Sequence, residues 1–354
     1  MRNRKDSVGA KAAAWVGITL GAVVFFTGAA GVLLMDQAGV YEMSREQFLT
    51  KSYQSVADQY AIRALDYRPN SVARALKLRR TGTVGIIVPN SANPVFAEIV
   101  SGVYRVLSDY GYAYIQTASE NDKDRELTCF QQLQERQVDG ILAIGSARPG
   151  DRYEQWVAEG AIRKTPTVFI NRFYDQPQYL RVLTDFAGGT CRAAEYCLQR
   201  GRRRVAMVTG VPGLEETAVK ERGYRRCLAG HGLEMEPGQV QPGFYRYEES
   251  YRAAGYLLKL FQPDAILAVN DLAAIAALNC ALDMGLRVPE DLAVTGLDDS
   301  SACGMLEPEL TSVHIDCRRM GELSVARLQA LLAGETDVPQ VTVVPTELRV
   351  RGSS

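Results

Sequence analysis

The chain reads as an α/β protein whose body is two successive lobes, each a parallel sheet flanked by helices, preceded by a helical N-terminal segment. Three observations predict this. Short continuous apolar runs, such as Val84-Gly85-Ile86-Ile87-Val88 and Ala265-Ile266-Leu267-Ala268-Val269, suit strands buried on both faces. Helical stretches alternate with these runs, which is the pattern of βαβ units and hence of parallel sheets. The alternation starts at Thr83 and again at Val205, giving two series of about 100 residues, each of domain size.

Taken in order, Ala12 to Met35 is a run of 24 uncharged residues, preceded by Arg2, Arg4, Lys5 and Lys11. A helix of that length spans ~36 Å, enough to cross a ~30 Å hydrocarbon layer. The flanking charges would keep the N-terminus in the cytoplasm and the body outside. Gly17 and Gly21 have the spacing that lets two helices pack closely. Ser44 then caps a helix running to about Leu65. Pro69 disfavours helix at Arg68 and so ends this segment. Asn70 or Ser71 can cap a new short helix, Val72 to Leu78. Arg74, Lys77, Arg79 and Arg80 bring positive charge to it, and Leu76 stands among them as an apolar wedge. Cations for phosphates and an aliphatic side chain to part a base step suit a minor-groove contact; taken by charge alone, the same stretch also reads as a solvated linker helix.

In the body, Asn93-Pro94 opens a helix with Val95, Ile99, Val103, Val106 and Leu107 on one stripe. Ala113 to Gln116 is a strand and Arg125 to Arg136 a helix; Gly140 to Ile144 and Thr167 to Ile170 are strands. The second series has strands at Val205 to Val208, Ala265 to Val269 and Leu292 to Thr295.

The motifs of 67–90 resemble the hinge of the lactose/galactose-repressor (LacI/GalR) family. They are Tyr67-Arg68-Pro69-Asn70, Ala73-Arg74-Ala75-Leu76, Arg80-Thr81-Gly82-Thr83-Val84-Gly85 and Val88-Pro89-Asn90. The resemblance continues to the C-terminus. It implies a periplasmic-binding-protein-like (type I) sensor body, with lobes 82–182 plus 317–341 and 183–316 plus 342–354, after an N-terminal segment 1–66 and a hinge 67–81. It also implies operator DNA as a partner, touched by Asn70, Arg74, Leu76 and Lys77, and a homodimer or tetramer in the cytoplasm. Lys11 to Thr19 with Gly21-Ala22-Val23 looks like an eroded form of the family's helix-turn-helix. Val24 and Phe25 stand where that motif has polar residues, and they offer no hydrogen bonds to DNA. Residues 1–66 therefore have three readings: a degraded head-piece, a membrane anchor, or an altered N-terminus.

Ligands of open α/β sheets bind beyond the carboxyl ends of strands. Asn90 and Ser91 fall there, with Phe96 a turn later; so do Asn171, Arg172, Asn270 and Asp298. Arg222 lies in Arg222-Gly223-Tyr224, placed at the start of a helix, and Tyr245 can stack on a sugar face. Carboxylate, amide and guanidinium groups together suit the paired hydroxyls of a sugar. A sugar phosphate would need more cation, which Arg172 and Arg222 could supply. Asn270 with Asp271 also reads as a helix cap, Asp298 with Asp299 as a turn. Gln134 to Asp139 and Arg148 to Trp156 are most similar to the fructose/sucrose-responsive branch.

The bulk properties narrow the function further. A net charge of −1 rules out a uniformly basic nucleic-acid coat, so DNA contact must be local. Seven scattered cysteines without a C-x-x-C pair suit free thiols in a reducing compartment. His231 and His314 are the only histidines, and no metal-ligand spacing stands out. The chain has no G-x-S-x-G elbow and no phosphate-cradling loop. The sequence thus predicts a non-enzymatic, cofactor-free regulator, probed by a sugar or sugar phosphate and acting on DNA as a repressor. The alternative is a membrane-anchored solute sensor without DNA contact.

Overall fold

A computed structural model describes residues 80–91, 93–145, 165–173 and 179–354. All of them fall in one unit, Ser71–Ser354. The expectations for 1–66 and for Asn70, Arg74, Leu76 and Lys77 lie outside the described residues. Among the described residues, no helix is long and apolar enough to cross a membrane.

Two six-stranded sheets organise the body. The first is built from β1 (Thr83–Val88), β2 (Ala113–Ala118), β3 (Gly140–Ile144), β4 (Thr167–Ile170), β5 (Leu180–Thr184) and β11 (Val341–Val344). Its order is β11-β5-β4-β3-β1-β2, with every neighbour parallel. The second contains β6 (Val205–Thr209), β7 (Val240–Pro242), β8 (Ala265–Ala268), β9 (Ala293–Asp298), β10 (Thr311–Ile315) and β12 (Thr346–Arg349). Its order is β12-β10-β9-β8-β6-β7, parallel except for β12, which pairs antiparallel with β10.

The period of two along each strand decides which helices cover which face. In the first lobe Val84, Ile86, Leu142 and Val168 share a core with α1 (Pro94–Asp109) and α7 (Cys317–Ala333). Ile87, Ile141, Ala143 and Phe169 instead pack against α2 (Lys123–Glu135), through Leu127, Phe130 and Leu133. In the second lobe Val205, Met207 and Leu267 face α3 (Phe186–Gln199) and α4 (Glu215–Gly230). Ala206, Val208 and Ile266 face α5 (Tyr247–Leu260) and α6 (Asp271–Asp283). At about 1.5–3 kcal/mol per large buried aliphatic side chain, these layers supply the main folding drive.

The helices start where the capping chemistry predicts. Asn93, Asp122, Asp185, Asn270 and Asp316 each accept a first-turn backbone N–H through the side chain. Two glycines set the crossing of α1 and α7. A Cβ at Gly102 would lie 2.1 Å from the Arg318 carbonyl oxygen, and one at Gly321 2.2 Å from that of Ile99. The two helices therefore meet backbone to backbone.

The chain passes between lobes three times. β5 runs to Thr184 and β11 to Val344. The boundaries expected after 182 and 341 would each cut a strand of the first sheet, so they move to about Asp185 and Pro345. The expected break at 316 falls between β10 and α7.

Candidate functional site

The carboxyl end of the second sheet brings several side chains together. β9 ends on Asp298, whose φ of 118° is rarely adopted by a residue with a side chain. Tyr245, after β7, has φ 58°, and Asn171, after β4, has φ 53°. Strained backbone of this kind costs about 1–3 kcal/mol each, survives where surrounding contacts enforce it, and gathers at binding sites. The loop after β9 is held by Asp271. One carboxylate oxygen accepts from Ser312 Oγ at 2.5 Å; the other accepts from Ser300 N at 2.6 Å and Cys303 Sγ at 3.1 Å. Asp299 is turned into the protein, where it takes Arg351 at 2.6 Å and His314 Nδ1 at 3.0 Å. Among the described residues, Asp298 is left as the carboxylate of the pair without such partners. Burial pushes its carboxyl well above the usual range, opposed by the charge of Lys220.

Lys220 is the cation of this cluster. It is buried, and its Nζ lies 2.7 Å from Glu216 Oε1, 4.4 Å from the centre of the Phe186 ring and 5.2 Å from that of Tyr245. Burial alone would lower its pKa; Glu216, Tyr245 and Asp298 outweigh that and keep it charged. Tyr245 shares a 2.9 Å hydrogen bond with Thr217 Oγ1, and burial pushes its phenol up to about 12. Its ring lies over Gly210, where a Cβ would come within 2.3 Å of it. Tyr224 Oη donates to Ala268 O at 2.9 Å, fixing α4 against the end of β8. Cys317 feels carboxylates of both lobes. Its thiol is pushed up by burial, then by Asp298 of the second lobe and Glu98 of the first.

Other expected site residues fall differently. Arg222 is the eighth residue of α4 rather than its start; it is exposed and pairs with Glu215 at 2.8 Å. At 100° per residue it stands about 200° around the helix from Lys220, on the opposite side. Arg172 points inward: it is 2 % exposed, paired with the buried Glu126 of α2, and lies 4.3 Å over the Phe169 ring. Asn171 is buried as well, and its Oδ1 accepts Thr184 N at 2.8 Å, tying β4 to β5. Asn270 caps α6, accepting Ala273 N at 3.0 Å. Asn90 is half-buried and Ser91 exposed just beyond β1; Phe96 is half-buried in the first turn of α1. His314 is structural, through Asp299.

Sequence reasoning missed Lys220, Glu216 and Thr217. The i, i+1, i+4 spacing of 216, 217 and 220 was a visible signal, because it places all three on one face of a helix. Also unforeseen is a second cluster between α3 and α4, where ligand atoms of Glu195, Cys227 and His231 lie within 4.8 Å of one another.

Two lobes, each a largely parallel sheet flanked by helices, define a body of the periplasmic-binding-protein type. Comparison with known proteins agrees. The family model for a periplasmic binding protein-like domain matches residues 194–354. Catabolite control protein A of Priestia megaterium is 31% identical over 297 residues, 83% of this chain and 88% of the relative. The HTH-type transcriptional regulator CelR of Thermobifida fusca is 33% identical over 301 residues, 83% of this chain and 87% of the relative. Among solved structures, a transcriptional regulator CelR–cellobiose complex superposes with a TM-score of 0.71 at 30% identity, covering 89% of this chain and 93% of that one. The chain belongs to the LacI/GalR family of transcription regulators.

Proposed function

We propose that this protein is a dimeric, cytoplasmic, DNA-binding repressor whose operator grip is set by a neutral sugar held between the lobes. The observation that carries the choice of ligand is the charge at the mouth. Arg172 is neutralised by Glu126, Lys220 by Glu216, and Arg222 faces solvent beside Glu215. Among the described residues the site therefore has no spare cation for a phosphate, and the sugar phosphate becomes the weaker reading. What it offers is a hydroxyl-binding set: Asp298 and Lys220 for hydrogen bonds, and the Tyr245 ring as an apolar floor. The cellobiose named with the CelR structure is a ligand of this chemical class.

Sugar would act by favouring one arrangement of the lobes, and thereby of the hinge helices at 67–81, over another. The free thiols, most of them buried, suit a reducing compartment. Titration calorimetry of the full chain with cellobiose, related neutral sugars and their phosphates tests the ligand class. Binding of a neutral sugar that Lys220→Ala and Asp298→Ala both abolish is the expected result; tight binding of phosphates alone refutes it. Operator binding by wild type that falls with Leu76→Ala, at unchanged sugar affinity, tests the DNA half.

A further inference from the structure

Helices α3 and α4 lie side by side and run in the same direction. A Cβ at Gly223 would touch Thr190 Oγ1 and the Ala187 carbonyl oxygen, so the backbones are close at that level. One turn further along, Cys191 stands close enough to Cys227 to raise the pKa of its thiol. A further turn brings Glu195 beside His231. Each helix thus contributes an i, i+4 pair, Cys191 with Glu195 and Cys227 with His231, and the two pairs face each other.

Three of the four are already gathered as a coordination shell requires: ligand atoms of Glu195, Cys227 and His231 lie within 4.8 Å of one another. Cys227 Sγ lies 3.4 Å from Glu195 Oε2, and His231 Nε2 lies 3.5 Å from Glu195 Oε1. Neighbouring ligands of a tetrahedral zinc ion, with bonds of ~2.0–2.3 Å, are roughly 3.3–3.8 Å apart. The imidazole is already oriented. His231 Nδ1 is 3.0 Å from the Cys227 carbonyl oxygen, which can only accept, so Nδ1 donates there and Nε2 is the nitrogen left facing Glu195. A backbone carbonyl on the far nitrogen is the usual way a metal-binding histidine is held. Cys227 is buried, whereas Glu195 and His231 are about two-fifths exposed and leave a path for an ion.

We propose that Glu195, Cys227 and His231, with Cys191 turning in as the fourth ligand, form a binding site for a divalent transition metal of the zinc class, which staples α3 to α4. Two thiolates, an imidazole and one carboxylate exclude calcium and magnesium, which take oxygen shells. Binding releases the two thiol protons to solvent as the metal replaces them, so affinity rises with pH. The site lies about two helical turns beyond Lys220 on α4. A bound metal therefore fixes the helix that presents Glu216, Thr217 and Lys220 to the sugar.

The test uses the reduced full-length protein titrated with Co²⁺, a coloured substitute for Zn²⁺. The expected result is one equivalent bound, with the visible bands of tetrahedral cobalt and a thiolate charge-transfer band in the near ultraviolet, both erased by Zn²⁺. His231→Gln and Cys191→Ser should each weaken binding by at least about 100-fold, more than losing an outer-shell partner costs. Zinc should raise the melting temperature of wild type but not of His231→Gln. His231 closes a helix at the surface, so circular dichroism of that variant checks that the fold is intact. Colour that survives both substitutions, or no uptake at stoichiometric metal, overturns the proposal. Formation of a Cys191–Cys227 disulfide in air with no metal uptake under reduction overturns it too, assigning the pair to redox chemistry.

Discussion

Replacing Arg172 with methionine tests whether this side chain belongs to the core or to the ligand. The guanidinium and the Glu126 carboxylate are 2% and 3% exposed, so neither charge can turn to water when its partner is removed. Breaking a buried pair on one side leaves an uncompensated charge and costs about 3–5 kcal/mol. Methionine still covers the Phe169 ring, so the loss is mostly electrostatic. In a body of this size each kcal/mol moves the melting temperature by roughly 2–4 °C, so Arg172→Met should melt roughly 6–20 °C below wild type. Glu126→Gln removes the carboxylate instead and should cost less, because Arg172 keeps its other contacts, the Phe169 ring among them. The double variant carries no stranded charge and should recover to within about 2 kcal/mol of wild type, a large non-additive coupling. Scanning calorimetry on the four proteins measures the cycle, and calorimetric titration at a temperature where all are folded measures sugar affinity. A single variant that melts like wild type but no longer binds sugar would refute the reasoning and return Arg172 to the ligand.

Three further outcomes follow from the same geometry. Asp298 has a folded-state pKa raised by burial. Its stabilising contribution is therefore complete below the unfolded value of about 4 and is lost as pH rises through the folded value. Melting temperatures followed from pH 4 to 8 should show wild type losing ground to Asp298→Asn as pH rises; parallel curves would contradict the burial argument. Gly210→Ala puts a methyl 2.3 Å from the Tyr245 ring, which must swing away. Stability should fall by about 1–3 kcal/mol while sugar affinity drops disproportionately, as read by thermal melts and titration together. Gly321→Ala forces α7 off α1 at a backbone contact and should cost at least about 3 kcal/mol, with sugar affinity per folded molecule retained.

Most of the fold was legible because burial on both faces leaves a mark that needs no partner to be read. Val84 to Val88 and Ala265 to Ala268 are apolar at every position, as central parallel strands must be. The edge strands were harder. Val341–Val344 is largely exposed and Val240–Pro242 half-buried, so neither shows a clean pattern. The site was only partly legible, for a specific reason. Residue type and proximity to a strand end do not reveal the direction of a side chain. Arg222 and Lys220 are two positions apart and face opposite ways. Arg172 follows β4 as a cleft residue would, yet Glu126, 46 positions earlier, draws it inward. The thiols and histidine between α3 and α4 are unremarkable in sequence, since their nearness depends on two helices packing in register.

The interleaving of the lobes has a consequence for synthesis. The first sheet needs β11 at its edge, and α1 needs α7 against it, yet both pieces are encoded after the entire second sheet except β12. A ribosome therefore releases the material for the first half long before it can be completed. Until residue 344 has emerged, the flank of β5 and the glycine-lined side of α1 stay uncovered. Contacts that span so much chain form slowly, and unpaired strand edges invite association with other nascent chains. Whatever shields that half-finished surface in the cell must act while the whole second lobe is made, from about residue 185 to residue 344.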